Sequence, residues 1–217
     1  SCTVSGVGRT WVELSGDGSR LVLGASLAST TGVVAVYDYD VIGDVWVKND
    51  AFDITVRDLF TYHTGYNVKI SLDGRVVAFS KLVSASDSTG SVDVFVENGG
   101  VWSRRGDTIV KGGHPFEGNA SLLNVPTERF GVELDMNGDG TVVACAAAQT
   151  DVTGSGWLQV YEYDIDNNVW ITRGDVRDAT DIDINYGSSL AISRDGTVLT
   201  YTRGTAVVTS DTASVWG

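Results

Sequence analysis

The sequence has very little proline, cysteine, methionine and histidine. Among its 217 residues there are 2 Pro, 2 Cys, 1 Met and 2 His. The two cysteines, Cys2 and Cys145, are too few for a scaffold stapled by disulfides, so a hydrophobic core is expected to hold the chain together. With two histidines and no HExxH or CxxC motif, the sequence offers little from which to build a transition-metal site.

Long apolar runs and an excess of positive charge are also lacking. No apolar run of about 18 residues occurs, so the sequence predicts no transmembrane segment. Lys and Arg number 15 against 28 Asp and Glu, which gives a formal net charge of −13. Because nucleic acids bind clustered cations, this charge argues against a nucleic-acid partner.

Motifs for catalysis are missing as well. The sequence contains no GxSxG elbow, no phosphate-binding GxxxxGK and no GxGxxG after a strand. From this absence we predict that the chain is not an enzyme. What it contains in abundance is valine and glycine, with 26 glycines, which is a composition typical of β-proteins.

A repeated Asp-Gly dipeptide is the main internal signal. An alternating apolar and polar segment precedes each copy and an apolar run follows it, as Val12–Leu14 and Leu21–Leu23 do around the first. Two such segments joined by Asp-Gly predict a β-hairpin, because glycine accepts the positive φ of the tight turn. The copies, spaced 56, 66 and 56 residues apart, are Asp17-Gly18, Asp73-Gly74, Asp139-Gly140 and Asp195-Gly196.

A third and a fourth strand are predicted after each hairpin. The third carries an aromatic residue at the same place in every copy: Tyr37, Phe95, Tyr161 and Trp216, the last in the segment Ser214–Trp216. The fourth begins with a Val-Trp pair at Val45, Val101 and Val169. Four antiparallel strands in a repeat of about 56 residues are typical of a propeller blade. The sequence therefore predicts an all-β fold, a β-propeller of about four blades with four antiparallel strands each.

Residues 1–217 are predicted to form a single propeller domain. The blades are expected at about 7–62, 63–118, 128–183 and 184–217. The fourth copy has no Val-Trp strand after its predicted third strand, so residues 1–6 or another chain are expected to complete it. Self-closure is favoured, because it removes exposed sheet edges.

Several segments resemble the FG-GAP repeat of integrin-α-like β-propellers. Phe130-Gly131 with Asn137–Val143 resembles the start and turn of that repeat, and Leu21–Ser26 resembles its Gly-Ala-Pro end, with Ser26 in place of proline. The resemblance extends over nearly the whole chain. It implies a protein outside the cell or on its surface, with a role in cell adhesion or structure and Ca²⁺ as the candidate cofactor.

The calcium loop of that family is present in one copy, as Asp135, Asn137 and Asp139. Oxygen donors at alternate positions of a loop can wrap a hard cation such as Ca²⁺. The twelfth position of the loop is Ala146 rather than an acidic residue, and Asp135 aligns with strand residues of the other copies. We therefore favour a plain hairpin turn, with a calcium site at these three residues as the alternative.

A second candidate site comprises Glu13, Lys69, Glu133 and Asp135, which lie on the first strands of the predicted blades. The first strand of a blade is innermost, so these side chains are expected to converge near the propeller axis. Such a polar cluster could bind a small ligand or a metal at the mouth of the channel. The favoured interpretation is a satisfied set of ion pairs around Lys69.

The triplet Asn119-Ala120-Ser121 is an acceptor for N-glycosylation and predicts a glycoprotein. It lies in the loop 106–128, and long loops on a rigid scaffold often carry binding sites.

Together these features predict a non-catalytic module outside the cell or on its surface. It would serve binding or structure by engaging a protein or glycan partner or by assembling with copies of itself. A carbohydrate-binding, lectin-like propeller that uses aromatic residues near the blade loops is the first alternative. A hydrolase with paired carboxylates at the axial mouth is the second.

Overall fold

The structure, a computed structural model, describes residues 7–27, 32–52, 63–82, 90–110, 130–147, 157–178, 189–203 and 206–211. These residues form fifteen strands and contain no helix, so no helix among them could cross a membrane. The strands are β1 (Val7–Leu14), β2 (Arg20–Leu27), β3 (Val33–Asp40), β4 (Val45–Lys48), β5 (His63–Ile70), β6 (Val76–Leu82), β7 (Gly90–Asn98), β8 (Val101–Arg104), β9 (Glu133–Met136), β10 (Val142–Ala147), β11 (Trp157–Asp164), β12 (Val169–Asp178), β13 (Leu190–Ile192), β14 (Val198–Arg203) and β15 (Ala206–Asp211).

The strands form four antiparallel sheets that follow one another in chain order. The first sheet is β1–β4, the second β5–β8, the third β9–β12 and the fourth β13–β15, and in each the strands pair in sequence. The predicted all-β fold of consecutive antiparallel sheets is confirmed.

The Asp-Gly dipeptides form the turns between the first and second strands of all four sheets. Each glycine has a positive φ, from 72° at Gly18 and Gly74 to 73° at Gly140 and Gly196. The aspartate caps the turn: Asp17 Oδ1 accepts hydrogen bonds from the Ser19 N–H at 3.0 Å and from the Ser15 hydroxyl at 2.7 Å. These bonds lower the pKa of Asp17 to about 2, and the bond from the Ser19 backbone N–H has the largest effect.

The turns also connect successive sheets through backbone hydrogen bonds. The Gly16 N–H donates to the Leu72 carbonyl, the Leu72 N–H to Gly138, and the Gly138 N–H to Arg194, each at 2.8 Å. These four residues occupy equivalent positions in the four repeats. The ladder therefore holds the ends of the first strands side by side along the array of sheets.

The predicted third strand of the fourth repeat is wrong. The third strand of that sheet is β15, which pairs with β14 from Arg203 opposite Ala206 to Val198 opposite Asp211. Only two residues connect these strands, whereas longer connections precede β3, β7 and β11. Tyr37 pairs with Leu21 in the first sheet, and Leu199 is the equivalent of Leu21 in the fourth. Leu199 pairs with Ser210, so Ser210 rather than the predicted Trp216 takes the position of Tyr37.

The segment Ser214–Trp216 lies outside the described residues, as do residues 1–6, which were expected to complete the fourth blade. In sequence, Val215-Trp216 matches the Val-Trp pairs at the start of β4, β8 and β12.

Each pair of neighbouring sheets encloses its own hydrophobic cluster. The face of a sheet that packs against the preceding sheet is called the leading face here, and the opposite face the trailing face. Between the first and second sheets, Val22 and Val36 on a trailing face meet Val68, Val77 and Phe79 on a leading face. Two further clusters of the same kind join the second sheet to the third and the third to the fourth. The core is thus a series of layers between sheets.

Candidate functional sites

The structure brings together three of the four residues of the predicted axial cluster. Lys69 on β5 lies between two carboxylates of neighbouring sheets, with its Nζ 3.5 Å from Glu13 Oε1 and 3.0 Å from Asp135 Oδ1. The three side chains are partly buried, with exposed fractions of 24%, 35% and 15% for Lys69, Glu13 and Asp135. Glu133 is half-buried, two residues from Asp135 on β9.

The two carboxylates also cap the strand of the next sheet. Glu13 Oε2 accepts a hydrogen bond from the Ile70 N–H at 3.2 Å, and Asp135 Oδ2 accepts one from the Ile192 N–H at 2.7 Å. Each acid therefore links the first strand of its own sheet to the first strand of the following one. These contacts are those expected of a satisfied ion-pair set, and ligand binding by the cluster stays a prediction.

Burial and charge shift the pKa values in this cluster. Burial raises the pKa of Glu13, and the neighbouring Asp135 raises it further, against the opposing effect of Lys69. Burial alone lowers the pKa of the Lys69 ammonium, but the Asp135 and Glu13 carboxylates outweigh it and the net shift is upward. Lys69 is therefore charged at neutral pH, and Glu13 takes up a proton at a higher pH than an ordinary glutamate.

Replacing Lys69 tests the role of this cation. We expect Lys69→Met to lower the free energy of unfolding by about 1–3 kcal/mol at pH 7, because two carboxylates then face each other without a cation. The loss is expected to shrink toward pH 4. Because the pKa of Glu13 is raised on folding, its ionised form opposes folding above its ordinary pKa of 4.5, and protonation removes that cost. Urea denaturation at both pH values measures the difference.

The matched control is Lys48→Met, since Lys48 is 54% exposed and lies 4.0 Å from Asp50. It should change stability by less than about 0.5 kcal/mol at either pH. Equal losses at pH 7 and pH 4 for Lys69→Met would contradict a role in separating charges.

The candidate calcium ligands Asp135, Asn137 and Asp139 make protein contacts in the structure. Asn137 Oδ1 accepts hydrogen bonds from the backbone N–H groups of Thr141 and Val142, each at 2.9 Å. Asp139 Oδ1 accepts from the Thr141 N–H at 3.0 Å and from its hydroxyl at 2.6 Å. The described residues contain no group of three or more His, Cys, Asp or Glu arranged to hold a metal. These bonds belong to the hairpin turn, and the calcium site stays a prediction.

Other sequence candidates lie where the structure describes little or nothing. Asn119, the predicted glycosylation site, falls in the undescribed range 111–129. The first residues of that loop, 106–110, are described, and a cleft of about 250 Å³ opens beside them between the second and third sheets. Its lining includes Ile109, Tyr161 and Trp170, and the Tyr161 hydroxyl donates to the Val110 carbonyl at 3.1 Å.

One feature that sequence reasoning missed is the exposed leading face of the first sheet. Val12 and Leu14 on β1 are 61% and 54% exposed, although the equivalent Val68 and Ile70 of the second sheet are 2% and 8% exposed. Cross-strand pairing places six residues on this face. They are the exposed Val12 and Leu14, the partly buried Leu21, Leu23 and Tyr37, and the buried Ala35. The signal was present in the sequence, since these positions match buried or partly buried ones in the other repeats. The sequence does not show on which repeat this face is left exposed among the described residues.

Comparison with solved structures confirms the β-propeller fold. A candidate 6-phosphogluconolactonase from Bacteroides fragilis matches 93% of this chain with a TM-score of 0.53 and 10% identity. A hypothetical selenium-binding protein from Sulfolobus tokodaii matches 97% with a TM-score of 0.55 and 13% identity. A GH74 enzyme from Niastella koreensis matches 94% with a TM-score of 0.52 and 11% identity. No protein-family profile and no curated protein matches the sequence.

The chain spans half or less of the length of these structures. The matches cover 49%, 48% and 30% of the Bacteroides, Sulfolobus and Niastella proteins, respectively. At such low identity the likeness shows the fold alone, so membership of the FG-GAP family stays a prediction.

The prediction that the chain is not an enzyme is wrong as drawn. Proteins named as enzymes, among them the Niastella GH74 enzyme and prolyl endopeptidases that match with a TM-score of 0.50, have the same architecture. A fold does not determine function, so the absence of a contiguous catalytic motif does not indicate a non-catalytic protein.

Proposed function

We propose that this chain is a binding module that engages a further propeller sheet through the leading face of its first sheet. The single observation that carries the proposal is the exposure of Val12 and Leu14, at 61% and 54%, where the equivalent Leu134 and Met136 of the third sheet are 2% and 9% exposed. An apolar sheet face of this kind is typically covered in the functional state of a protein.

The internal interfaces of the chain support one kind of partner surface for this face. In all three internal interfaces a leading face packs against a trailing face of the same repeat type. Burying a valine or leucine side chain stabilises an interface by about 1.5–3 kcal/mol. The first sheet therefore has both the apolar surface and the shape to accept one more trailing face, from a partner protein or from another copy.

A trailing face is also partly uncovered on the fourth sheet. Val198 is 38% exposed, whereas the equivalent Val76 and Val142 are 2% and 4% exposed. The pure protein thus carries both kinds of face, and we expect it to associate head to tail at high concentration. Sedimentation velocity from about 1 to 200 µM should show species above the 23.0 kDa monomer.

The variant Val12→Glu/Leu14→Glu should stay monomeric over that range with an unchanged Tm, because both side chains are exposed in the monomer. The matched control is Val47→Glu, which is 50% exposed on β4 and paired with Asp38 on the opposite face. It should associate like the wild type. A wild-type protein that remains monomeric at the highest concentration contradicts the proposal.

We further propose that the module works outside the cell or on its surface, as an FG-GAP-like repeat protein. The support is the sequon at Asn119, the net charge of −13 and the Phe130-Gly131 start of the third repeat. Intact-mass analysis of the protein from its natural source tests this, because glycan mass at Asn119 is added only in the secretory route.

A second candidate function is acid–base hydrolysis at the axial cluster. It is favoured by the raised pKa of Glu13, which remains 35% exposed and lies near the Asp135 carboxylate around one cation. A carboxyl group whose pKa is raised is a candidate general acid, and a second carboxyl group nearby can serve as its partner. Turnover of a panel of glycosides that disappears in Glu13→Gln, with Tm unchanged, would establish it.

A further inference from the structure

The hairpin β11–β12 of the third sheet binds the segment Arg105-Gly106, which follows β8 of the second sheet. The indole N–H of Trp170 donates to the Arg105 carbonyl at 2.7 Å, and the Gly106 N–H donates to Oδ1 of Asn168 at 3.1 Å. The Arg105 guanidinium lies 5.0 Å from the centre of the Tyr163 ring. The Tyr, Asn and Trp side chains together form what we call an Arg-Gly receptor.

The glycine of this segment is required by geometry. Gly106 has a φ of 70°, and a Cβ there would lie 2.8 Å from Cδ1 of Trp170. Any other residue would meet both the strained backbone conformation and the indole ring. The receptor therefore requires glycine at this position. The contact of the guanidinium with the Tyr163 ring and its hydrogen bond to the Gly140 carbonyl at 2.9 Å favour arginine before that glycine.

The hairpin β3–β4 of the first sheet repeats this receptor. Tyr39 and Trp46 pack with ring centres 5.1 Å apart at 50°, compared with 5.4 Å and 49° for the pair in the third sheet. Asp44 takes the place of Asn168, with a φ of 50° against 54°, and accepts a hydrogen bond from the Tyr39 hydroxyl as Asn168 does from its tyrosine.

This second receptor is empty within the part of the chain that the structure describes. Trp46 is 40% exposed and Asp44 is exposed. Among the described residues, the Trp46 indole N–H has no hydrogen-bond acceptor, and the Tyr39 hydroxyl is the one donor to Asp44. The sheet that would supply a segment corresponding to Arg105-Gly106 is the one that would cover the leading face of the first sheet.

We propose that the hairpin β3–β4 binds an Arg-Gly segment at the end of the outer strand of a partner protein's propeller sheet. The inference rests on the proposed stacking of a further sheet on this face and names the chemistry of that partner. Charge favours it, because Asp44 replaces a neutral asparagine and Asp40 lies across the same turn. The carboxylate can attract the guanidinium while its Oδ1 accepts the glycine N–H.

A peptide titration tests the receptor without requiring sheet stacking. The probe is acetyl-Ser-Arg-Arg-Gly-Asp-Thr-amide, the sequence of residues 103–108 of this chain. We expect it to shift the indole N–H resonance of Trp46, assigned with Trp46→Phe, with a Kd on the order of 1 mM, since a short flexible peptide loses much entropy on binding. The same peptide with alanine in place of glycine should bind at least about fivefold more weakly.

Two variants separate the receptor from unspecific attraction. Asp44→Asn reproduces the asparagine of the filled receptor and should retain binding, weakened about threefold by the loss of the charge, whereas Asp44→Leu should lose binding. The proposal is overturned if both peptides bind equally, if Asp44→Asn abolishes binding, or if no shift occurs. It is also overturned if self-association of the protein depends on Arg173 or Arg203, because the occupant is then a second copy. These residues begin the other two Arg-Gly pairs of the chain, Arg173-Gly174 and Arg203-Gly204. A failure of the peptide with intact head-to-tail association removes this inference and leaves the proposed function standing.

Discussion

Replacing Asp93 by alanine is expected to lower the free energy of unfolding by about 3–5 kcal/mol, because it leaves a buried cation without its partner. The Asp93 carboxylate is 3% exposed and the Lys81 ammonium 7%, with Nζ and Oδ2 2.6 Å apart. Asp93 also accepts a hydrogen bond from the Thr108 hydroxyl at 2.6 Å and lies 3.4 Å from Arg104. Urea denaturation at pH 7 measures the loss.

The pair can be tested against its apolar replacement. In Lys81→Met/Asp93→Leu both charges are removed, and most of the lost stability should return, because the desolvation of two ions no longer opposes folding. Asp93→Asn, which keeps the shape, should lose nearly as much as alanine. A loss below about 1 kcal/mol for Asp93→Ala would show that Lys81 finds water or another partner.

Replacing Phe130 by alanine is expected to cost about 3–5 kcal/mol, because it opens a cavity between the second and third sheets. Phe130 is 1% exposed, and its ring packs edge to face on Tyr161 with centres 6.2 Å apart. The next residue, Gly131, has a φ of 83° and lies against Ser80. The Phe-Gly pair at the start of the third repeat therefore packs the second sheet against the third.

Val101→Ala is the matched control, since Val101 is 67% exposed on β8. It should change stability by less than about 0.5 kcal/mol, measured in the same denaturant series. If Phe130→Ala is no more destabilising than this control, the second and third sheets do not share a fixed layer.

Much of the architecture could be predicted from local pattern. The Asp-Gly hairpins were readable because a tight turn needs positive φ, and Gly18, Gly74, Gly140 and Gly196 supply it. The axial position of Lys69 was readable for a related reason, since the register of the repeats aligns it with acids of the neighbouring sheets. The third strand of the fourth repeat was missed, because the aromatic signal was followed to Trp216 while β15 pairs directly after a two-residue connection.

What the sequence determined by itself is the repeated unit, because hairpin turns and strand alternation depend on neighbours a few residues apart. Only the tertiary structure decided which faces of the repeats are buried and which side chains pair between repeats. Leu14 and Ile70 occupy equivalent positions, yet one is 54% exposed and the other 8%. Equally, the Trp170 indole donates a hydrogen bond to the Arg105 carbonyl, whereas the equivalent Trp46 is 40% exposed. Burial and pairing between sheets depend on which surface lies opposite, and that is set by residues more than fifty positions away in the chain.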